Sequence, residues 1–143
     1  MTEISINTPI EKVWKTLVNF EDYKNWNPFI IDIKGDAKFG QFPTVTIKPP
    51  NKKNMKFKPK IICVIENHEL KWLGRLFIPG LFDGEHRFLL KKIADGKTHF
   101  LHSECFTGIL QKPILKLIME STRAGFELMN FALKKYCEME EII

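Results

Sequence analysis

The stretch from Gly80 to Gly108, GLFDGEHRFLLKKIADGKTHFLHSECFTG, restricts the possible folds more than any other part of the chain. It reads as two long strands that reverse at Ala94-Asp95-Gly96. His86, His102 and Glu104 fall on the same face as Phe88, Leu90, Phe100 and Phe106. An ordinary half-buried hairpin keeps such polar groups off its apolar face. The loop decides the pairing. A two-residue Asp-Gly turn, with Ala94 opposite Lys97, would set Phe88 opposite Ser103 and turn Phe100 and Phe106 away from it. A three-residue Ala-Asp-Gly loop, with Gly96 left-handed in a bulge, sets Phe88 opposite His102 and Leu90 opposite Phe100. Only this register gathers the apolar residues on one side, and burial fixes register. It makes His86 and Glu104 cross-strand neighbours.

At 143 residues the chain is expected to form one domain, 1–143, with a real core. Hydrophobic residues at 44% and charged residues at 27% argue against disorder. Twelve Phe against two Tyr suit a large interior or a lipid-like cavity equally well. The charge of +5 rests mostly on lysine, with arginine only at positions 75, 87 and 123. Arginine is the usual bidentate reader of phosphate and bases, so no nucleic-acid partner is expected. Cys63, Cys105 and Cys137 are widely spaced, with neither a disulfide framework nor a CxxC site. They read as reduced thiols in a soluble, cytoplasmic protein without signal peptide or membrane-spanning run.

Along the chain, Ile4 and Ile6 alternate in a short first strand. Asn7 or Thr8 is placed to cap a helix with Pro9 in its first turn and Ile10, Val13, Trp14 and Leu17 on one face. A second short helix covers Phe20 to Trp26 and stops before Asn27-Pro28. Alternation then predicts strands at Phe29 to Ile33, Thr44 to Lys48, Lys56 to Ile65 and Leu70 to Leu76. Pro59 marks an edge or a bulge, and Ile78-Pro79-Gly80 breaks the last of these before the hairpin. Pro113 opens a long helix to about Glu140, striped by Leu115, Ile118 or Met119, Thr122, Phe126, Met129, Leu133 and Tyr136. The order is a strand, two short helices, a meander of strands and one long helix. Such a helix must bury its stripe, and the available surface is the concave face of a curved antiparallel sheet. The predicted class is α+β: a helix-grip fold, with a curved antiparallel sheet of six to seven strands around the C-terminal helix.

Several patterns support that reading. Trp14, Phe20, Tyr23 and Trp26-Asn27-Pro28-Phe29 resemble the N-terminal part of SRPBCC, or START-like, proteins. So do Leu70 to Leu76, Phe82-Asp83-Gly84-Glu85-His86-Arg87-Phe88, Glu104-Cys105-Phe106-Thr107-Gly108 and Thr122 to Asn130. The chain looks similar to the polyketide cyclase/dehydrase-like branch over essentially its whole length. The resemblance implies a fold and a concave apolar cavity. The superfamily includes lipid carriers, receptors, cyclases and chaperone activators, and a fold transfers no activity.

The leading expectation is binding of a small hydrophobic or lipid-like molecule between the sheet and the C-terminal helix. His86 and Glu104 are the candidate catalytic pair, an imidazole beside a carboxylate, suited to the aldol cyclisation or dehydration that the resemblance implies. The two also satisfy each other's hydrogen bonds, and this structural or anchoring role outweighs catalysis. Glu104→Gln and His86→Ala are expected to alter ligand binding or turnover without loss of the fold. Apolar residues at these spacings fit a core as readily as a cavity wall. With the resemblance, Phe57, Trp72, Phe88, Phe106, Phe126 and Met129 are expected ligand contacts, with His86, His102 and Glu104 as polar anchors. Asn130 and Arg123 share a helix side near the cavity mouth, where Arg123 is read as solvated.

No metal and no cofactor are assigned. His99 and His102 point to opposite sheet faces, and nothing else demands a metal at His86, His102 and Glu104. There is no Gly-x-Ser-x-Gly elbow and no phosphate-cradling glycine pattern. Lys52, Lys53, Lys56, Lys58 and Lys60 form a basic cluster that protects a sheet edge or touches an anionic membrane peripherally, the first being favoured. A cyclase-like enzyme and a ligand-free interaction module are the rival classes, and the oligomeric state is left open.

Overall fold

The computed structural model describes the backbone of residues 1–76, 82–108 and 111–140, with the side chains of 1–75, 83–108 and 120–139. The described elements, in order, are β1 (Thr2–Ile6), α1 (Ile10–Val18), a 3-10 turn (Phe20–Asp22) and α2 (Tyr23–Trp26). The strands β2 (Ile30–Lys34), β3 (Thr44–Ile47), β4 (Met55–Phe57), β5 (Lys60–Ile65) and β6 (Glu69–Leu76) follow. The hairpin β7 (Phe82–Ala94) and β8 (Lys97–Thr107) leads into α3 (Gln111–Glu140). The predicted break at Ile78-Pro79-Gly80 and the side chains of Leu115, Ile118 and Met119 lie outside the described residues.

The eight described strands divide into two antiparallel sheets, ordered β1-β8-β7-β6-β5 and β2-β3-β4, rather than forming one sheet of six or seven. Pro59 is the physical reason. The sequence predicts one strand from Lys56 to Ile65, but Pro59 has no N–H for a ladder, and the chain leaves one sheet at Phe57 and enters the other at Lys60. Both flanking strands are sheet edges, and all five lysines between positions 52 and 60 are exposed there. That placement fits protection of the edges.

The hairpin has the expected pairs: His86 opposite Glu104, Phe88 opposite His102 and Leu90 opposite Phe100. The way it reaches them differs from expectation. Ala94 pairs with Lys97 across a tight Asp95-Gly96 turn, and the register shifts between Lys92 and Ala94. Gly96 takes φ +69°, the left-handed conformation the turn requires. The extra residue therefore sits in β7 beside the turn, and it restores the register that buries Phe88, Leu90 and Phe100.

Helix α3, about 45 Å long at 1.5 Å per residue, packs against β1, β8, α1 and α2. It buries Phe126, Met129, Leu133 and Cys137 in the main core with Phe88, Phe100 and Trp72. Tyr136 lies at the margin, stacked on Trp26 with its hydroxyl donating to Asp22 at 2.7 Å. Among the described residues no helix is long and apolar enough to cross a membrane.

Two short-range expectations resolve differently. No side chain caps α1: Pro9 occupies the cap position itself, with an extended ψ of 145°. Thr8 is instead drawn into the junction with β8, where its carbonyl accepts from the Thr98 hydroxyl at 2.7 Å. Asn27 acts as predicted in stopping α2, and its side chain starts the next strand. Its Oδ1 accepts from the amides of Phe29 (2.9 Å) and Ile30 (2.8 Å). Asn27→Ala is expected to lower stability by about 1–2 kcal/mol, because two buried amides lose their acceptor. Unchanged midpoints in urea unfolding would show that those amides find another partner.

Candidate functional site

Alternation along β6, β7 and β8 sends Trp72, Gly74, Gly84, His86, Phe88, His102, Glu104 and Phe106 toward α3. The opposite face carries Glu69, Lys71, Glu85 and Arg87. There Arg87 and Lys71 hold the half-encircled Glu69 carboxylate, and Lys71 reaches Glu85 at 3.4 Å. Cys63 lies beside this group, and burial, followed by the Glu69 carboxylate, pushes its thiol above the ordinary range. A thiol in that setting is a poor nucleophile.

On the inner face a chain of polar contacts, hydrogen-bonded from His86 onward, runs through the protein. His86 Nδ1 lies 3.5 Å from Glu104 Oε2, and His86 Nε2 lies 2.7 Å from His102 Nε2. His102 Nδ1 meets Asn130 Oδ1 at 2.9 Å, Asn130 Nδ2 donates to Thr2 Oγ1 at 2.8 Å, and Thr2 Oγ1 donates to the His102 carbonyl at 3.3 Å. The sequence elements thus converge from β1, β7, β8 and α3. Aromatic rings surround the two imidazoles. Phe126 stacks on His102 with centroids 3.8 Å apart, and Trp72 lies 4.9 Å from His86. Burial first, and then the neighbouring His86, hold the His102 imidazole well below its ordinary range; the Asn130 hydrogen bond acts the other way. His102 is therefore a neutral ring at pH 7.

A cavity of about 160 Å³ opens beside this network, between the two sheets and α3. Its apolar wall includes Phe29, Ile30, Ile47, Met55, Phe57, Trp72 and Phe106; Glu104 and His86 form a polar end; Ser121, Thr122, Lys52 and Arg75 border it. Gly74 and Gly84 pair across β6 and β7 and leave space that side chains would fill. A Cβ on Gly84 would lie 2.6 Å from Glu104 Oε1, so this glycine lets the carboxyl lie flat against the sheet.

The predicted residues fall into two groups. Phe57, Trp72, His86, Glu104 and Phe106 line the cavity. Phe88, His102, Phe126, Met129 and Asn130 are buried outside its wall, where they fill the core or complete the network. His102 cannot anchor a ligand as expected, since both its ring nitrogens are taken. Asn130 is interior, not at the mouth, because its amide bridges His102 and Thr2; Arg123 is exposed and pairs with Glu127. Sequence reasoning missed Thr2, Gly84 and the contribution of Phe29 and Ile47. The parity of β1 was the one available signal for Thr2. Among the described residues no cluster of three His, Cys, Asp or Glu side chains has metal-binding geometry.

With this geometry in hand, comparison with known proteins is informative about the fold. No family model and no curated protein sequence matches the chain. Solved structures do. TTHA0849 from Thermus thermophilus superposes with a TM-score of 0.74 at 14% identity, covering 97% of this chain and 96% of that one. A START superfamily protein from Mycobacterium smegmatis gives 0.70 at 16% identity, over 96% and 95% of the two chains. The di-domain ARO/CYC BexL from the BE-7585A biosynthetic pathway gives 0.71 at 9% identity, over 96% of this chain and 48% of that one. The chain has the START-like fold, as the sequence resemblance implies.

Proposed function

We propose that this chain binds a small hydrophobic molecule in the cavity between its two sheets and α3, with Glu104 at the polar end. The observation that carries this reading is the cavity itself: a mostly apolar wall with one carboxyl–imidazole pair at its end. Small-molecule sites have this composition, and a volume near 160 Å³ suits a guest of about one ring. Native mass spectrometry of freshly purified protein is expected to show a retained apolar adduct, or one acquired from added single-ring compounds. A chain that neither retains nor takes up such a compound would sink the reading, and with it would return the ligand-free interaction module.

A cyclase- or dehydratase-like enzyme is the second reading. It is favoured by the His86–Glu104 contact at the cavity wall and by the likeness in fold to an ARO/CYC protein. Glu104 would take or return a proton at a carbonyl substrate, and His86 would hold its position. Glu104→Gln distinguishes the two readings. For a binding protein, affinity is expected to stay within a few-fold; for an enzyme, turnover is expected to fall by about 100-fold or more while binding persists.

A further inference from the structure

The polar end of the cavity has a defined hydrogen-bonding sense, and the network behind it sets that sense. Thr2 gives its proton to the His102 carbonyl, so its oxygen accepts from Asn130 Nδ2. That orientation turns Asn130 Oδ1 toward His102 Nδ1, which must carry the proton of that contact. His102 is fully buried and neutral, so its Nε2 has no proton and accepts from His86 Nε2 at 2.7 Å. His86 therefore spends its Nε2 proton inward. Its Nδ1 lies 3.5 Å from Glu104 Oε2, within ion-pair distance but longer than a hydrogen bond.

Glu104 Oε1, the other carboxyl oxygen, lies over Gly84 on the cavity wall, and a carboxylate offers a guest only acceptors. The rest of the wall around it is Trp72, Phe106 and Phe57. His86 commits Nε2 to His102 and turns Nδ1 toward Glu104, so the free polar atom it leaves for a guest is the carboxyl oxygen beside it.

We propose that the cavity selects guests that present an O–H or N–H donor to Glu104 Oε1, so that its ligands are small hydroxylated hydrophobes such as phenols, in preference to ethers, ketones and hydrocarbons of the same size. This rests on the reading of the cavity as a ligand site. A guest without a donor covers Oε1 and leaves it unsatisfied, and sites built to bond a hydroxyl reject analogues that lack one.

The test is a calorimetric or NMR titration of the intact chain with phenol, anisole and toluene. Phenol is expected to bind at least about 10-fold more tightly than either of the others. Glu104→Leu is expected to bring the three within about twofold. Glu104→Gln is expected to keep the preference, since its amide can donate to His86 Nδ1 and still offer Oε1 to the guest. Equal binding of all three by the unsubstituted chain would overturn the selectivity and leave the ligand site standing. Binding of none would overturn both. The ratio on the unsubstituted chain decides by itself if Glu104→Leu fails to fold.

Discussion

Replacing His102 by phenylalanine is expected to lower stability at pH 7 by about 2–4 kcal/mol, although the ring shape is nearly kept. Phenylalanine can still stack on Phe126. It cannot accept from His86 Nε2 or donate to Asn130 Oδ1, and both groups are then buried without partners. The same substitution should change how stability responds to acid. In the unfolded chain the imidazole takes up a proton below about pH 6.5, whereas the buried ring is held well below that value. The unfolded state thus binds more protons as the pH falls from about 6.5 toward the folded value, and stability declines by about 1.4 kcal/mol per pH unit from this one group. Above pH 6.5 both states are neutral and the full contribution is present. Urea unfolding at pH 7 and pH 5 should show a gap between the parent and His102→Phe that narrows on acidification. Parallel pH profiles would show that His102 is not the group that titrates.

Gly125→Ala gives the second large effect, and there the local and tertiary influences have opposite signs. Alanine in place of glycine inside a helix is ordinarily favourable by about 1 kcal/mol. At position 125 the added Cβ would stand 2.3 Å from Phe29 Cδ1 and 2.4 Å from Cε1. The Phe29 ring is 3% exposed and packed edge-on to Phe126, so it has little room to retreat. Overpacking of this kind costs about 1–3 kcal/mol, enough to cancel or reverse the gain from helix propensity. The variant is expected to unfold at lower denaturant than the parent, and Phe29→Leu in the same chain should recover part of the loss. A Gly125→Ala protein about 1 kcal/mol more stable than the parent would mean the ring moves aside freely. Phe29 also lines the cavity, so a displaced ring should weaken guest binding as well.

The sequence was readable where burial and strand parity act together. The hairpin register followed from the need to gather Phe88, Leu90 and Phe100, and that register alone put His86 opposite Glu104. Parity also placed His102 on the same face. What it could not supply was distance across the layers. Asn130 is 28 residues from His102 and Thr2 is 100, and their meeting depends on how α3 and β1 seat on the sheet. The division of the strands was half visible: Pro59 announced an interruption, but nothing local says that the chain changes sheets there. The sequence shows Gly125 only as a weak helix former, because the Phe29 ring that excludes a side chain lies almost a hundred residues away.

The interruption at Pro59 also separates shape from chemistry. Glu104, His86 and Trp72 belong to one hydrogen-bonded ladder, while Ile47, Met55 and Phe57 face the same space from another. Substitutions on the smaller sheet can widen, narrow or reshape the compartment while the carboxyl–imidazole pair stays in place. A frame built this way is modular: one wall can be retuned for a different guest, and the other goes on asking the same question of whatever enters.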